Sequence, residues 1–198
     1  AMSYGWMAKR LSEKIVRVAL VDNWIPHEKN IFDNDLNNFF GKQIDFFTTL
    51  SEFVAKQINN QYKKPIWSVF HPINENILPI INQDEIRRKL SWEQSTNYVL
   101  FFGLIRKYKG LDLLIKSFST KILKNKNIKL YVAGECYENP KKYIKLVEKL
   151  KLKKRIILDF KFMNKKQIQN LFSGADIIAQ TYTSGTVSYT HLTLPTIE

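Results

Sequence analysis

The chain has 198 residues, of which 44% are hydrophobic, and its 31 Lys and Arg residues against 18 Asp and Glu residues give a formal net charge of +13. This length and composition suit one large or two small globular domains with a buried core. The one cysteine, Cys136, excludes an internal disulfide and suits a reducing compartment, so we expect a cytoplasmic protein. The sequence contains neither a metal-ligand spacing such as CxxC nor an apolar run long enough to span a bilayer.

The excess of positive charge bears on the partners. Its lysines are spread over the predicted helix faces rather than gathered in a nucleic-acid-binding motif, so we expect no nucleic-acid partner. A solvated, lysine-rich surface accounts for most of this charge. Peripheral association with the inner face of a membrane is the competing interpretation, because each basic residue near an anionic lipid surface contributes about 1 kcal/mol.

The first half of the chain predicts three strands with short helices between them. A helix ends near Lys14, a second short helix is expected at 35–40, and a third runs from its N-cap Ser51 to about Asn59. Runs of β-branched and aromatic residues predict strands at 15–21, 44–50 and 66–70.

The second half repeats this alternation more clearly. A short helix at 82–90 and a polar linker at 91–97 lead into four predicted strands at 98–102, 128–133, 156–160 and 176–180. Helices are predicted between them at 110–124, 140–149 and 165–172. Such alternation predicts the α/β class with parallel sheets, whose functional loops lie at the carboxyl ends of the strands.

The clearest chemical pattern lies in the segment from Tyr98 to Phe118, which reads YVLFFGLIRKYKGLDLLIKSF. A buried apolar strand stops at Gly103, and a short loop with Arg106 and Lys109 leads into an amphipathic helix. Backbone N–H groups of such a turn point at an anion and the cations neutralise it, so the pattern indicates a phosphate site. Exposed loop cations are the simpler interpretation, and neither GxxxxGK[ST] nor GxGxxG is present.

This segment resembles the start of the donor domain of retaining GT-B glycosyltransferases of family four, the glycosyl transferases group 1. The pattern of that family is roughly F-x-G-x-[IL]-R-x-x-K-G, followed by a leucine-rich helix. Further pieces are similar to segments of the family and follow in its order: VDNWIPHEK, TLSEFV, HPI, VAGECYE and FSGADIIAQTYTSGT. The resemblance covers about residues 7–186.

On the donor side, the resemblance implies that a nucleoside diphosphate sugar is held through its diphosphate. Arg106 and Lys109 are the catalytic candidates, since they offset the charge that grows on the β-phosphate as the sugar leaves. Many relatives have an Arg directly after the glycine, where this chain has Leu104. The other donor-side candidates are Gly103, Gly134, Glu135 and His71. A loop carboxylate at Glu135 and a turn-stabilising histidine at His71 remain the alternatives for those two.

On the acceptor side, the resemblance implies roles for Asp22, Asn23, His27 and Glu28, which follow the first strand. A carboxylate and an imidazole at a strand end can orient or deprotonate an acceptor hydroxyl, so Asp22 and His27 are the catalytic candidates. The alternative is that Asp22 and Asn23 cap the loop while His27 packs beside Pro26. The resemblance implies reaction on the front face of the donor, so no protein nucleophile is expected.

The resemblance also implies the domain organisation. We expect two Rossmann-like GT-B domains with parallel sheets, both incomplete: an acceptor-side domain at 1–90 and a donor domain at 91–186. The tail at 187–198 resembles translated adapter or vector sequence, with a natural C-terminal hairpin as the alternative. The donor's sugar would then lack its usual carboxylates, so we expect the chain as it stands to be inactive.

The implied activity is transfer of a sugar, with retention and without a metal or other cofactor, to a saccharide or lipid-linked acceptor. The alternative from another class is a non-catalytic nucleotide- or polyanion-binding α/β module, which the charge of +13 supports. Cys136 has no paired base in the sequence and is expected to be inert.

Overall fold

The computed structural model describes residues 2–12, 14–25, 31–69, 79 and 81–183. These residues form two compact units that divide between Glu75 and Asn76. Each unit has a parallel sheet with helices packed on it, so the predicted α/β class is confirmed. No helix in the described ranges is both long enough and apolar enough to cross a membrane.

The first unit has a three-stranded parallel sheet in the order β1-β2-β3. Its elements are α1 Met2–Arg10, β1 Val18–Val21, α2 Asp33–Gln43, β2 Phe46–Thr49, α3 Glu52–Gln61 and β3 Ile66–Ser68. Ser51 caps α3 as predicted, since its hydroxyl accepts a hydrogen bond from the Val54 N–H at 3.3 Å. The first strand was predicted to start at Ile15 but begins three residues later, at Val18. Ile15 instead lies in a turn, in which its N–H donates to the Ser12 carbonyl.

Alternate residues of these strands build the core of the first unit. Phe47 of β2 is fully buried, as are Val54 and Ile58 of α3. Trp24 packs edge-on against Phe47 and Tyr62, with ring centroids 6.0 and 5.7 Å away, and it is only 7% exposed. Trp24 therefore acts in packing.

The second unit has a four-stranded parallel sheet in the order β6-β5-β4-β7. Its strands are β4 Asn97–Phe102, β5 Ile128–Ala133, β6 Ile156–Asp159 and β7 Ile177–Ile178. Its helices are α4 Gln83–Lys89, α5 Leu111–Ser117, α6 Lys121–Lys124, α7 Lys141–Lys149 and α8 Lys165–Gly174, with a 3₁₀ turn at Lys107–Lys109 before α5.

Helices cover both faces of this second sheet. Val99 and Phe101 of β4 pack in one core with α5 and α7, whereas Tyr98 and Leu100 pack in another core with α8. The two faces differ because the β4-to-β5 connection, with α5, crosses the sheet in one direction, whereas the β6-to-β7 connection, with α8, crosses back past β4 in the other.

The helix predicted at 110–124 is divided into α5 and α6. Three hydroxyls in the connecting tract turn back onto the chain: Ser117 donates to the Leu114 carbonyl, Ser119 to Lys116 and Thr120 to Ser117, each at 2.7 Å. Such hydrogen bonds compete with helix continuation. The apolar periodicity therefore predicted the right elements but missed the break.

The helix α4 belongs to the second unit, so the division between units precedes the domain boundary expected at 90. Arg87 of α4 is 5% exposed, and its guanidinium donates to the Gly174 carbonyl at 2.9 Å and to the Asp176 carboxylate at 2.5 Å. The same carboxylate accepts from the Tyr98 N–H at 2.6 Å. This partly buried contact joins α4, the end of α8 and the start of β4.

We expect Arg87→Ala to destabilise the second unit by about 1 to 3 kcal/mol, because it removes the hydrogen bonds of a buried guanidinium and leaves the partly exposed Asp176 carboxylate without its cation. Arg88→Ala is the matched control, since Arg88 is the exposed neighbour and surface changes stay within about 0.5 kcal/mol. Urea denaturation of the two variants checks the difference. Equal midpoints for both would contradict a structural role for the Arg87 contact.

In the first unit, Arg17 and Asp45 join the amino ends of β1 and β2. The Arg17 guanidinium binds both carboxylate oxygens of Asp45 at 2.8 Å, and the Arg17 N–H donates to the same group at 2.9 Å. These hydrogen bonds from Arg17 lower the pKa of Asp45 from 3.8 to about 2.

Asp45→Asn is therefore expected to lower the melting temperature at neutral pH. The folded-state pKa lies below the unfolded value, so this contribution is complete above about pH 4 and is lost as the pH falls towards 2. The melting temperatures of variant and parent should converge over that range. Asp35→Asn, at an exposed position of α2, should show no such convergence.

Candidate functional site

Two glycines end neighbouring strands of the second sheet. Gly103 follows β4 with φ +121°, and Gly134 follows β5 with φ +130°. A Cβ atom on Gly134 would lie 2.1 Å from the carbonyl oxygen of Gly103, so the two backbones meet where no side chain fits. Beyond them, the Ile105 N–H donates to the Glu135 carbonyl at 2.8 Å, and the two loops continue side by side.

The ammonium group of Lys109 lies over Gly103. A Cβ atom on Gly103 would be only 2.9 Å from Lys109 Nζ, so the missing side chain makes room for the cation. Lys109 is half-buried and its Nζ also lies 5.5 Å from the ring centroid of Tyr182. Lys107, two residues earlier in the same turn, is exposed. The turn thus directs one of its two lysines to the end of β4.

Arg106 lies beside the second loop. Its guanidinium carbon is 5.2 Å from the ring centroid of Tyr137, and the side chain is half-buried. Glu135 contributes its backbone carbonyl to the pairing of the loops. Burial raises the pKa of the Cys136 thiol, which agrees with the expectation that this cysteine is inert.

The segment after β7 holds this loop from the other side. The Thr181 hydroxyl lies 3.0 Å from the Lys109 carbonyl and 3.1 Å from the Gly110 carbonyl. The Thr183 N–H donates to the Tyr108 carbonyl at 2.7 Å. Sequence reasoning did not select these threonines as site residues. The sequence feature that could have indicated them is the run of hydroxyl residues directly after the last predicted strand.

These residues meet at the switch point of the second sheet. The loops that follow β4, β5 and β7 meet at the carboxyl ends of their strands, where α/β sheets bind ligands. The N–H groups of Gly103 and Gly134 donate to the Ala133 and Asp159 carbonyls, at 3.1 and 3.2 Å, so they do not point at an anion as the sequence pattern predicted. The open space at Gly103 and the Lys109 ammonium above it still form a cradle suited to an anion such as a phosphate. We call Gly103, Gly134, Arg106 and Lys109 the phosphate cradle.

In the first unit, Asp22 follows β1 directly. Its Oδ2 accepts from the Asn23 side-chain amide at 3.1 Å, whereas its buried Oδ1 has no hydrogen-bond partner in the described part of the chain. A buried carboxylate oxygen without a partner is unusual. The candidates His27, Glu28 and His71 lie outside the described residues. Within those residues, no three His, Cys, Asp or Glu side chains cluster closely enough to hold a metal ion.

The chain matches the glycosyl transferases group 1 family over residues 82–192, which is more than half of its length. It belongs to that family, as the motifs indicated. No curated protein matches the chain.

Solved structures share the fold. Sucrose-phosphate synthase from Thermosynechococcus elongatus is 12% identical, with TM-score 0.72, over 94% of this chain and 50% of its own. HepE from Anabaena, in complex with UDP and glucose, is 16% identical, with TM-score 0.65, over 84% of this chain and 46% of its own. WaaG, a glycosyltransferase involved in lipopolysaccharide biosynthesis, is 19% identical, with TM-score 0.62, over 78% of this chain and 44% of its own. The chain has the GT-B-type α/β fold and spans about half the length of these proteins.

Gly134→Ala is expected to open the cradle. The added methyl group would meet the Gly103 carbonyl oxygen in a backbone conformation that alanine rarely adopts, at a cost of at least about 1–3 kcal/mol. Hydrogen exchange of the Ile105 amide, which pairs the two loops, should accelerate. Glu135→Ala is the neighbouring control without a clash. Unchanged protection of Ile105 in Gly134→Ala would contradict the close approach of the two loops.

Proposed function

We propose that the chain binds a nucleoside diphosphate sugar and takes part in transferring its sugar to a saccharide or lipid-linked acceptor. The observation that carries this proposal is the position of the Lys109 ammonium over Gly103, at the switch point of the second sheet. An ammonium at an open glycine backbone provides both the charge and the space that a diphosphate needs. Membership of the glycosyl transferases group 1 family supports the same conclusion.

In the proposed reaction, the bond between the anomeric carbon and the β-phosphate oxygen breaks, and that oxygen keeps the electron pair. The acceptor hydroxyl oxygen forms the new bond on the same face of the sugar and loses its proton, so the configuration is retained. Lys109 and Arg106 offset the charge that grows on the leaving diphosphate, which is the role of a metal ion in other transferases. The reaction is therefore proposed to need no metal or cofactor.

Two structural neighbours support the proposed donor and acceptor classes. HepE was solved with UDP-glucose as well as with UDP and glucose, and WaaG takes part in lipopolysaccharide biosynthesis. These proteins share the fold at low identity, so they suggest a nucleotide sugar and a saccharide or lipid-linked acceptor as the first ligands to test.

Asp22 is the proposed acceptor-side base in the first unit, with Asn23 as its orienting partner. The Asn23 amide holds Asp22 Oδ2 and leaves Oδ1 without a partner, so Oδ1 has the capacity to accept a proton or a hydroxyl hydrogen bond. His27 and Glu28 are proposed to act on the same side, and His71 and Glu135 on the donor side.

We expect Lys109→Ala to weaken binding of a nucleoside diphosphate such as UDP or GDP by about 10-fold or more, because it removes a charge-assisted contact to the β-phosphate. Lys107→Ala, which removes the same charge from the exposed position in the same turn, should change the affinity by less than about threefold at 0.15 M salt. Isothermal titration of the purified chain measures both. Arg106→Ala is expected to act in the same direction as Lys109→Ala.

An equal loss of nucleoside diphosphate affinity in Lys109→Ala and Lys107→Ala would contradict the proposed site. If RNA also bound with a steep salt dependence and without regard to Lys109, the polyanion-binding module would be favoured. Where transfer activity is measured, Lys109→Ala or Arg106→Ala should lower kcat/KM by about two orders of magnitude, as expected for groups that stabilise charge in the transition state.

A further inference from the structure

The net positive charge of the chain lies in one unit. Residues 76–184 hold 22 of the 31 Lys and Arg residues and nine of the 18 Asp and Glu residues. The rest of the chain has nine of each sign, so it is formally neutral. The phosphate cradle uses two of the 22 basic residues, and most of the others have no part in the proposed transfer.

Two basic segments of the second unit are held together by Arg155. Its guanidinium donates to the Phe118 carbonyl at 3.1 Å and to the Leu123 carbonyl at 2.7 Å, which ties the loop after α7 to the segment around α6. A further contact to the Ile128 carbonyl at 3.3 Å reaches the start of β5. The two segments that carry the lysines therefore lie side by side.

These lysines form what we call the basic rim. All of them are exposed, and only Lys153 forms an ion pair within the described residues, with Glu148 at 2.8 Å. The members of the basic rim are Lys121, Lys124, Lys126, Lys151, Lys153 and Lys154. Because α6 leads into β5 and the loop after α7 leads into β6, the basic rim lies at the amino ends of these strands. The phosphate cradle lies at the opposite, carboxyl ends.

The apolar groups at the basic rim point to lipid rather than nucleic acid. Ile122 is 79% exposed between Lys121 and Lys124. A groove of about 320 Å³ beside Lys153 is otherwise lined by Glu148 and four apolar side chains, Ile144, Val147, Ile156 and Leu158. An exposed aliphatic side chain among lysines suits a membrane surface, where the apolar group enters the head-group layer and the cations stay among the phosphates.

Nucleic-acid binding surfaces usually add aromatic side chains for stacking and arginines for base or phosphate contacts. Segments 119–127 and 148–155, all described, contain no aromatic residue, and their one arginine is occupied by backbone carbonyls. We propose that the basic rim docks this unit onto a membrane surface that carries anionic phospholipids.

The test is co-sedimentation of the purified chain with vesicles at 0.15 M salt. Vesicles with 30% phosphatidylserine in phosphatidylcholine should bind the chain, and pure phosphatidylcholine should not. Replacing Lys121, Lys151 and Lys154 by Gln should lower the partition coefficient about 100-fold, as expected for three basic residues at an anionic surface. The matched control replaces Lys107, Lys165 and Lys166 by Gln. These lysines are also exposed and form no ion pair with the described residues, and their replacement should lower the partition coefficient less than about fivefold.

Ile122→Ser separates lipid from other polyanions, since it leaves the charge unchanged. It should weaken vesicle binding several-fold and leave binding of a single-stranded RNA unchanged. Equal loss in the two triple variants would overturn the proposal, as would RNA binding tighter than vesicle binding with no effect of Ile122→Ser. Titration of the rim variants with UDP reports on the phosphate cradle separately, so failure at one site is distinguishable from failure at the other.

Discussion

The carboxylate of Asp176 fixes the position of β7 against β4, and the candidate site follows from that contact. It accepts from the Tyr98 N–H and from the Arg87 guanidinium, so the last strand enters the sheet at one register, with Val99 opposite Ile177. From there the chain runs past the end of β4, where Thr181 reaches the turn that carries Lys109. A shift of β7 by two residues would move that hydroxyl by roughly 7 Å and release the turn.

The two ends of the second sheet present positive charge in different ways. At the carboxyl ends, a single half-buried ammonium lies on an open glycine backbone, which restricts the site to a small, closely placed anion. At the amino ends, exposed lysines surround an apolar side chain, which suits an extended anionic surface. A net charge alone does not distinguish these uses. The distinction comes from burial, from backbone geometry and from the chemistry of the neighbouring side chains.

Local pattern predicted the elements of the fold and the core of the candidate site, but not the contacts between distant segments. Strand ends at Gly103 and Gly134 and the cations that follow Gly103 are readable because they lie within a few residues of a clear strand. The roles of Thr181 and Arg87 depend on partners about 70 to 90 residues away, which no local pattern contains. The helix break at Ser117 was missed because the apolar period continues through it. The hydroxyl hydrogen bonds that compete with helix continuation do not change the pattern of apolar residues.

The strand order β6-β5-β4-β7 also governs how the second unit assembles during synthesis. After residue 160 has been made, β4, β5 and β6 can pair, but the side of β4 reserved for β7 stays open until about 20 further residues emerge. Closing this gap joins positions 78 residues apart, from Tyr98 to Asp176, so we expect it to be a late step of folding. Until then, the apolar centre of the sheet is an exposed strand edge, the form of nascent chain that chaperones bind and that aggregates most readily.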